Sequence, residues 1–254
     1  MFEELEGKAV LVTGSSTGIG AAVAKGFGRL GAQVVVHYNR SAAEAEAVAA
    51  AIAAAGGKAI LLQGDVSDSA VARRVVDEAA ERCGRLDILV NNAGAMVERR
   101  LIADCDDALL DKVIDLNVRS VIAATGAAVA HFRRQGRGNI VNVSSIAARN
   151  GGSAGAGIYA AAKGFVATLT HGLAKEHAKD NIRVNAVSPG VILTPFHERY
   201  STAAQLEAAR QTIPMGRFGS AEECVGIVLF LATDALSSYV TGQVIEVNGG
   251  QLMP

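Results

Sequence analysis

Tyr159 and Lys163 stand four residues apart in a run whose apolar spacing predicts a helix, so their side chains share one face. A free phenol, with a pKa of about 10, is a poor acid or base at neutral pH. A nearby ammonium favours the phenolate and lowers that pKa. Such a pair can deliver or remove a proton at a reacting oxygen. Taken alone, Tyr-x-x-x-Lys is equally an ordinary pair on a solvated helix. Ser144 and Ser145 follow a predicted strand upstream. Either hydroxyl could polarise a reacting oxygen, although serine after a strand is also a common turn residue.

A second group suits a phosphate. Thr13-Gly14-Ser15-Ser16-Thr17-Gly18-Ile19-Gly20 lies between the first predicted strand and the first helix. Its glycines allow a tight turn and let backbone N–H groups approach a pyrophosphate at the helix N-terminus. Glycines also mark ordinary turns. The strand–turn–helix setting is what a dinucleotide site requires.

The scaffold for these groups is an alternation of strands and helices. Strands are predicted at Ala9–Thr13, Gln33–His37, Ala59–Gln63, Leu86–Asn91, Asn139–Val143, Arg183–Val187 and Val244–Val247. Most are continuously apolar, as in parallel strands buried on both faces. Helices are predicted at Gly18–Leu30, Ala42–Ala55, Ser69–Cys83, Ala108–Arg134, Ile158–Lys179 and Ala221–Thr233. Repeated βαβ units with right-handed crossovers imply one α/β domain built on a doubly wound parallel sheet. The stretch at about 189–220 breaks the rhythm, with a short helix expected at Ala203–Thr212. Its place after a late strand makes it a candidate lid, or else a plain surface loop.

The chain resembles the short-chain dehydrogenases/reductases. The resemblance rests on Thr-Gly-x-x-x-Gly-Ile-Gly, Asn91-Asn92-Ala93-Gly94 after strand four and Asn117 in the next helix. It continues with Ser144-Ser145 after strand five, Tyr159-Ala-Ala-Ala-Lys163, and Pro189-Gly190 with Thr194 after strand six. It covers nearly the whole chain and implies a Rossmann-type fold and an NAD(P)(H)-dependent interconversion of a carbonyl and a secondary alcohol. Tyr159 would be the acid in reduction and the base in oxidation. Lys163 would lower its pKa and hold the nicotinamide ribose, Ser145 would polarise the carbonyl, and Asn117 would order a proton relay through water. Ser145 precedes Tyr159 by 14 residues, one more than is commonest in the family. The extra residue falls in the Gly/Ser/Ala stretch 151–157 and bears on the shape of the substrate pocket.

The resemblance also implies the cofactor contacts. Gly14, Ser16, Thr17, Gly18 and Ile19 would meet the pyrophosphate side, and Asp65 with Val66 the adenine. Asn92, Ala93 and Gly94 would lie along the adenosine ribose, and Pro189, Gly190, Ile192 and Thr194 at the nicotinamide amide. Asp65 is also placed to be no more than an acid near a helix N-terminus. After strand two the chain reads Asn39-Arg40-Ser41 with no acid, a set that could bind a 2′-phosphate. NADP(H) is therefore favoured, with NAD(H) possible, since Thr17 stands where many NADP-dependent members carry a basic residue.

Composition excludes other classes. Half of the 254 residues are hydrophobic and 19% are charged, which is no disordered chain. Lys plus Arg is 24 and Asp plus Glu is 25, so the surplus that a nucleic acid or membrane surface demands is absent. Cys83, Cys105 and Cys224 form no disulfide framework or zinc pattern, and the five histidines have no ligand spacing, so no metal is expected. His37, His131, His171, His177 and His197 read mostly as surface or packing residues. The acidic start lacks a signal peptide, and the Ala-rich run Ala47–Ala55 is too short to span a bilayer. A soluble cytoplasmic protein is expected. A cofactor-binding regulatory protein that had lost catalysis would lack Tyr159, Lys163 or Ser145, and all three are present.

Arg149, Ser153, Phe196, His197 and Arg199 are the residues expected around a small carbonyl or alcohol substrate. A 3-oxoacyl thioester, a sugar or polyol, or another ketone each fits. The basic run His131–Arg137 either docks an acidic carrier protein or complements a helix C-terminus. Apolar faces at Val113–Val129 and Phe165–Leu173, with the edge Val240–Val247, resemble the surfaces through which the family forms homotetramers.

Overall fold

The computed structural model describes residues 2–253. Its elements run β1 (Ala9–Val12), α1 (Gly18–Arg29), β2 (Gln33–Tyr38), α2 (Ala42–Ala54), β3 (Lys58–Gln63), α3 (Ser69–Cys83) and β4 (Ile88–Asn91). They continue with α4 (Asp107–Ile114), α5 (Ser120–Gln135), β5 (Gly138–Val143), α6 (Ala147–Asn150), α7 (Gly157–His177) and β6 (Ile182–Pro189). Last come α8 (Pro195–Tyr200), α9 (Ala203–Gln211), α10 (Val225–Ala232), α11 (Asp234–Ser237) and β7 (Val244–Val247). The seven strands form one parallel sheet in the order β3-β2-β1-β4-β5-β6-β7.

The strands pair in parallel because each is followed by a helix that returns the chain to the same edge. Every residue of β1, β4 and β6 is buried, including the polar Asn91, Arg183, Asn185 and Ser188, as expected of strands covered on both faces. One apolar layer gathers Phe27 of α1 and Leu231 of α10, and the other gathers Leu89, Phe132 and Ile140. Strand order reverses between β1 and β4, which opens a crevice at their carboxyl ends.

Beneath that crevice runs a buried polar chain. Asn91 Nδ2 donates to Asn142 Oδ1 at 2.9 Å and to Thr125 Oγ1 at 3.1 Å, and Asn142 Nδ2 donates to Thr170 Oγ1 at 2.9 Å. These bonds tie β4, β5, α5 and α7 in one register. Removing one member would leave buried donors unmet, so the network specifies how the elements seat.

Three expectations need correction. The helix expected at Ala108–Arg134 is α4 and α5 joined by a π turn over Asp115–Arg119, where the Ser120 N–H reaches back to the Asp115 carbonyl. The continuous stretch Asp107–Gln135, rather than Ala47–Ala55, is the one long and apolar enough by composition to cross a membrane. Half or more of its apolar window (56%) is buried inside the protein, where α5 packs against α3 and β5. The 189–220 stretch holds two helices rather than one. Pro195, at the first position of α8, starts a turn whose φ the ring already supplies. A capping box between Thr202 and Gln205 starts α9.

Candidate active site

The crevice is a cavity of about 1190 Å³ that runs from Arg40 and Asp65 at one end to Tyr159 and the α8–α9 segment at the other. Twenty of the residues singled out from the sequence line it: Gly14, Ser16, Thr17, Gly18, Ile19, Asn39, Arg40, Ser41, Asp65, Val66, Asn92, Ala93, Gly94, Ser145, Tyr159, Lys163, Pro189, Gly190, Ile192 and Thr194. Ser153, Phe196, His197 and Arg199 line it as well. Asn117 does not, and neither does Arg149, whose guanidinium is held by Glu246 at 2.8 Å. Among the described residues no cluster of three or more His, Cys, Asp or Glu is placed to hold a metal.

Tyr159 and Lys163 lie on α7, one turn apart, and Ser145 follows β5 directly across from them. Ser145 shares a hydrogen bond with the Tyr159 hydroxyl. The Lys163 ammonium is 5.8 Å from the Tyr159 ring centre and donates to the Val143 carbonyl at 2.9 Å. Ser144 is occupied elsewhere, donating to the Lys163 backbone carbonyl at 2.9 Å and so anchoring α7 to the end of β5. The choice between the two serines is thus made by partner: both reach the cavity lining, but the Ser144 hydroxyl is spent on the Lys163 carbonyl and Ser145 meets the phenol.

Burial dominates the ionisation of this pair. It pushes the Tyr159 phenol up to about 12, against the Ser145 hydrogen bond, and it pushes the Lys163 ammonium down to about 8. Where a lowered phenol pKa was expected, the net shift is upward, because removal from water dominates the ionisation of each group.

Asn117 sits in the π turn with no exposed surface. Its amide donates to the carbonyls of Ala95 (2.8 Å) and Val113 (2.9 Å), and its Oδ1 accepts from the Ala95 N–H (3.2 Å). The side chain braces the loop after β4, because a buried amide must satisfy its own donors. A π turn at such a place is a frequent mark of a functional site. Gly94 makes the arrangement possible: a Cβ there would stand 2.7 Å from Asn117 Oδ1 and 3.0 Å from Lys163 Nζ.

The glycine loop has the form of a phosphate cradle. Gly14 and Gly18 adopt left-handed φ values of 62° and 56°. A Cβ on Gly20 would stand 2.5 Å from the Gly14 carbonyl, so α1 can approach the turn only with glycine there. Thr17 makes no side-chain cap bond, which leaves the first N–H groups of α1 for an anion. The Asn92 amide donates to the carbonyls of Thr13 (2.8 Å) and Gly14 (2.9 Å) and staples the turn to β4. Thr13, not singled out from the sequence, accepts the N–H groups of Asn92 and Ala93 at 3.0 Å each.

His37 is a second residue that sequence reasoning missed. It is buried, and its Nδ1 accepts the Gly14 N–H at 2.9 Å while Nε2 faces the Gly64 carbonyl at 3.0 Å. Burial pushes it down to about 4, so it stays neutral. The available signal was a polar residue closing an otherwise apolar strand. Beyond it, Asp65 bonds the N–H and hydroxyl of Ser67. Burial raises the Asp65 carboxyl, but hydrogen bonds from Ser67 and Asn39 and the charge of Arg40 hold it below the usual range.

The basic run at the C-terminal end of α5 pairs with acids of its own chain. His131 meets Asp77 at 2.8 Å and Arg133 meets Asp180 at 2.8 Å.

Residues 14–251 match the family model described as enoyl-(acyl carrier protein) reductase. An uncharacterised oxidoreductase of Methylorubrum extorquens is 43% identical over 98% of this chain and 99% of its own length. A 3-oxoacyl-[acyl-carrier-protein] reductase of Thermotoga maritima is 40% identical over 97% and 98%. Among solved structures, an NADH-dependent reductase complexed with NAD superposes with a TM-score of 0.89 at 37% identity, covering all of both chains. A short-chain dehydrogenase of Burkholderia cenocepacia in complex with NADP gives 0.90 at 37% identity, over 97% of this chain and 98% of its own. Sequence motifs, strand order and near full-length likeness agree: the chain belongs to the short-chain dehydrogenase/reductase family of oxidoreductases.

Proposed function

We propose that the protein reduces a ketone to a secondary alcohol, with NADP(H) favoured over NAD(H), and catalyses the reverse oxidation when the ratio of reactants demands it. The observation that carries this reading is the convergence of Ser145, Tyr159 and Lys163 on one wall of a cavity whose other half is a glycine cradle. The cradle suits a dinucleotide, which would supply or accept the hydride. Ser145 and Tyr159 would hold the carbonyl oxygen between two hydroxyls, and Tyr159 would give it a proton. A phenol kept protonated by burial is in the state that reduction needs. The buried Lys163 ammonium would stabilise the phenolate left behind. Arg40, exposed beside Asn39 and Ser41, supports a 2′-phosphate contact and thus NADP(H).

The 3-oxoacyl-carrier relative supports a thioester substrate as a second reading. Against carrier docking at the α5 terminus stands the pairing of His131 and Arg133 with acids. A cytoplasmic homotetramer is also proposed. Ile122 on α5 and Phe165 on α7 are 46% and 43% exposed, and every residue of the edge strand β7 is only partly covered.

The test is NADPH oxidation against ketones and 3-oxoacyl thioesters, with Tyr159→Phe beside the parent. Loss of a proton donor should lower kcat by roughly 10²–10⁴-fold while dinucleotide binding persists. Undiminished turnover in Tyr159→Phe would overturn the mechanism.

A further inference from the structure

Arg99 lies in the loop after β4 and ties three segments of the cavity mouth together. Its Nε donates to the Tyr200 carbonyl of α8 at 3.0 Å, and its Nη1 donates to Ser153 Oγ at 2.9 Å and to the Ala154 carbonyl at 2.8 Å. The fit is close: a Cβ on Gly155 would stand 2.7 Å from Arg99 Cγ. The loop is also strained, because Val97, a β-branched residue, takes a φ of 67°. Every one of these acceptors is uncharged. Arg99 makes no ion pair among the described residues, whereas its neighbour Arg100 is paired with both Glu98 and Asp106. Burial alone lowers the Arg99 pKa, with no acid acting against it.

The charge of Arg99 is thus unbalanced, and the rest of the substrate half does not balance it. Arg199 also lines the cavity, and among the described residues it has no ion pair with an acid. Among the described residues the carboxylates on the lining are Asp65, at the far end beside Arg40, and Asp115, which is held by Arg119. His197 is pushed down by burial and by the Arg99 charge, and it stays neutral at pH 7. Between Tyr159 and Arg99 stands an aromatic wall. Phe196 is 5.6 Å from the Tyr159 ring centre and 5.0 Å from that of Tyr200, whose carbonyl Arg99 holds.

We infer that the substrate is an oxo acid, whose ketone meets Ser145 and Tyr159, whose carbon skeleton lies on Phe196, and whose carboxylate is received by Arg99 with help from Arg199. A half-buried guanidinium with neutral partners favours an anion more than a solvated one does, since less water competes. The same contact would strengthen the tie between α8 and the loops after β4 and β5, so the acid would hold the lid in place over itself. This inference rests on the ketone-reductase reading and names its substrate class.

The experiment follows NADPH oxidation by the full-length protein on oxo acids of increasing chain length, each paired with its primary amide. At least one acid should exceed its amide tenfold or more in kcat/KM, and that preference should shrink as salt is added. Arg99→Gln should cut the acid-to-amide ratio at least tenfold, and Arg99→Lys should restore part of it. Acids and amides turned over alike would overturn the inference, as would an Arg99→Gln variant that loses both equally. Tyr159-dependent reduction of the amides without a preference for acids sinks the anion subsite alone. No reduction of any ketone sinks the reductase reading and this inference together.

Discussion

The imidazole Nδ1 of His37 accepts the backbone N–H of Gly14 at 2.9 Å, so the end of β2 holds the turn that opens α1. The acceptor role requires neutral imidazole, and the other nitrogen then donates to Gly64. His37→Val would leave the Gly14 N–H without that partner. Dinucleotide affinity, read by fluorescence titration, should fall roughly tenfold, or about 1.4 kcal/mol. Unchanged affinity would show that the turn holds itself.

The same contact has a pH dependence. The folded His37 is pushed below the ordinary 6.5 to about 4, so the unfolded chain binds its proton first as pH falls. The stability from neutral His37 is complete above pH 6.5 and is lost between about 6.5 and 4, by on the order of 3 kcal/mol. Burial is the main cause, and Asp65 and the Gly64 carbonyl work against it while Arg74 adds to it. Thermal unfolding of the parent and of His37→Val across that range should converge towards acid. Parallel curves would remove His37 as the cause.

Gly94→Ala puts a methyl group 2.7 Å from Asn117 Oδ1 and 3.0 Å from Lys163 Nζ. The backbone there is not left-handed, so the effect is steric. Shifting either group costs about 1–3 kcal/mol of stability. Displacement of Lys163 should lower kcat tenfold or more while circular dichroism stays unchanged. Full activity would mean that Lys163 has room to move without consequence.

The rate of reduction should fall as pH rises past about 8. Lys163 is pushed down to that value by burial, whereas Tyr159 keeps its proton to about 12. The alkaline limb of kcat/KM then reports loss of the ammonium rather than of the phenol's proton. A profile flat to pH 10 would contradict this assignment.

Arg40→Ala should raise the KM for NADPH tenfold or more and leave that for NADH within about twofold, since only the 2′-phosphate would meet the guanidinium. Asp65, close enough to feel Arg40, makes the outcome informative. Equal effects on both cofactors would assign Arg40 to the fold or to the solvent.

Much of the architecture is legible in order and spacing. The apolar runs Ala9–Val12 and Ile88–Val90 are unbroken because both faces of each strand are covered, and that pattern survives in one dimension. Tyr159 and Lys163 are likewise readable, since helix period alone puts them on one face. What lay beyond reach depends on segments far apart in the chain. His37 looks like a strand residue until Gly14 and Gly64 stand on either side of it. Asn117 carries a motif, but its bracing of the loop after β4 depended on Ala95 and Val113 meeting its amide. Arg149 and Arg99 are alike as letters, yet Glu246 neutralises one while only carbonyls and a hydroxyl meet the other. Local periodicity is written residue by residue, whereas burial and charge compensation arise only when distant segments meet, and they set the ionisation of Tyr159 and Lys163 against expectation.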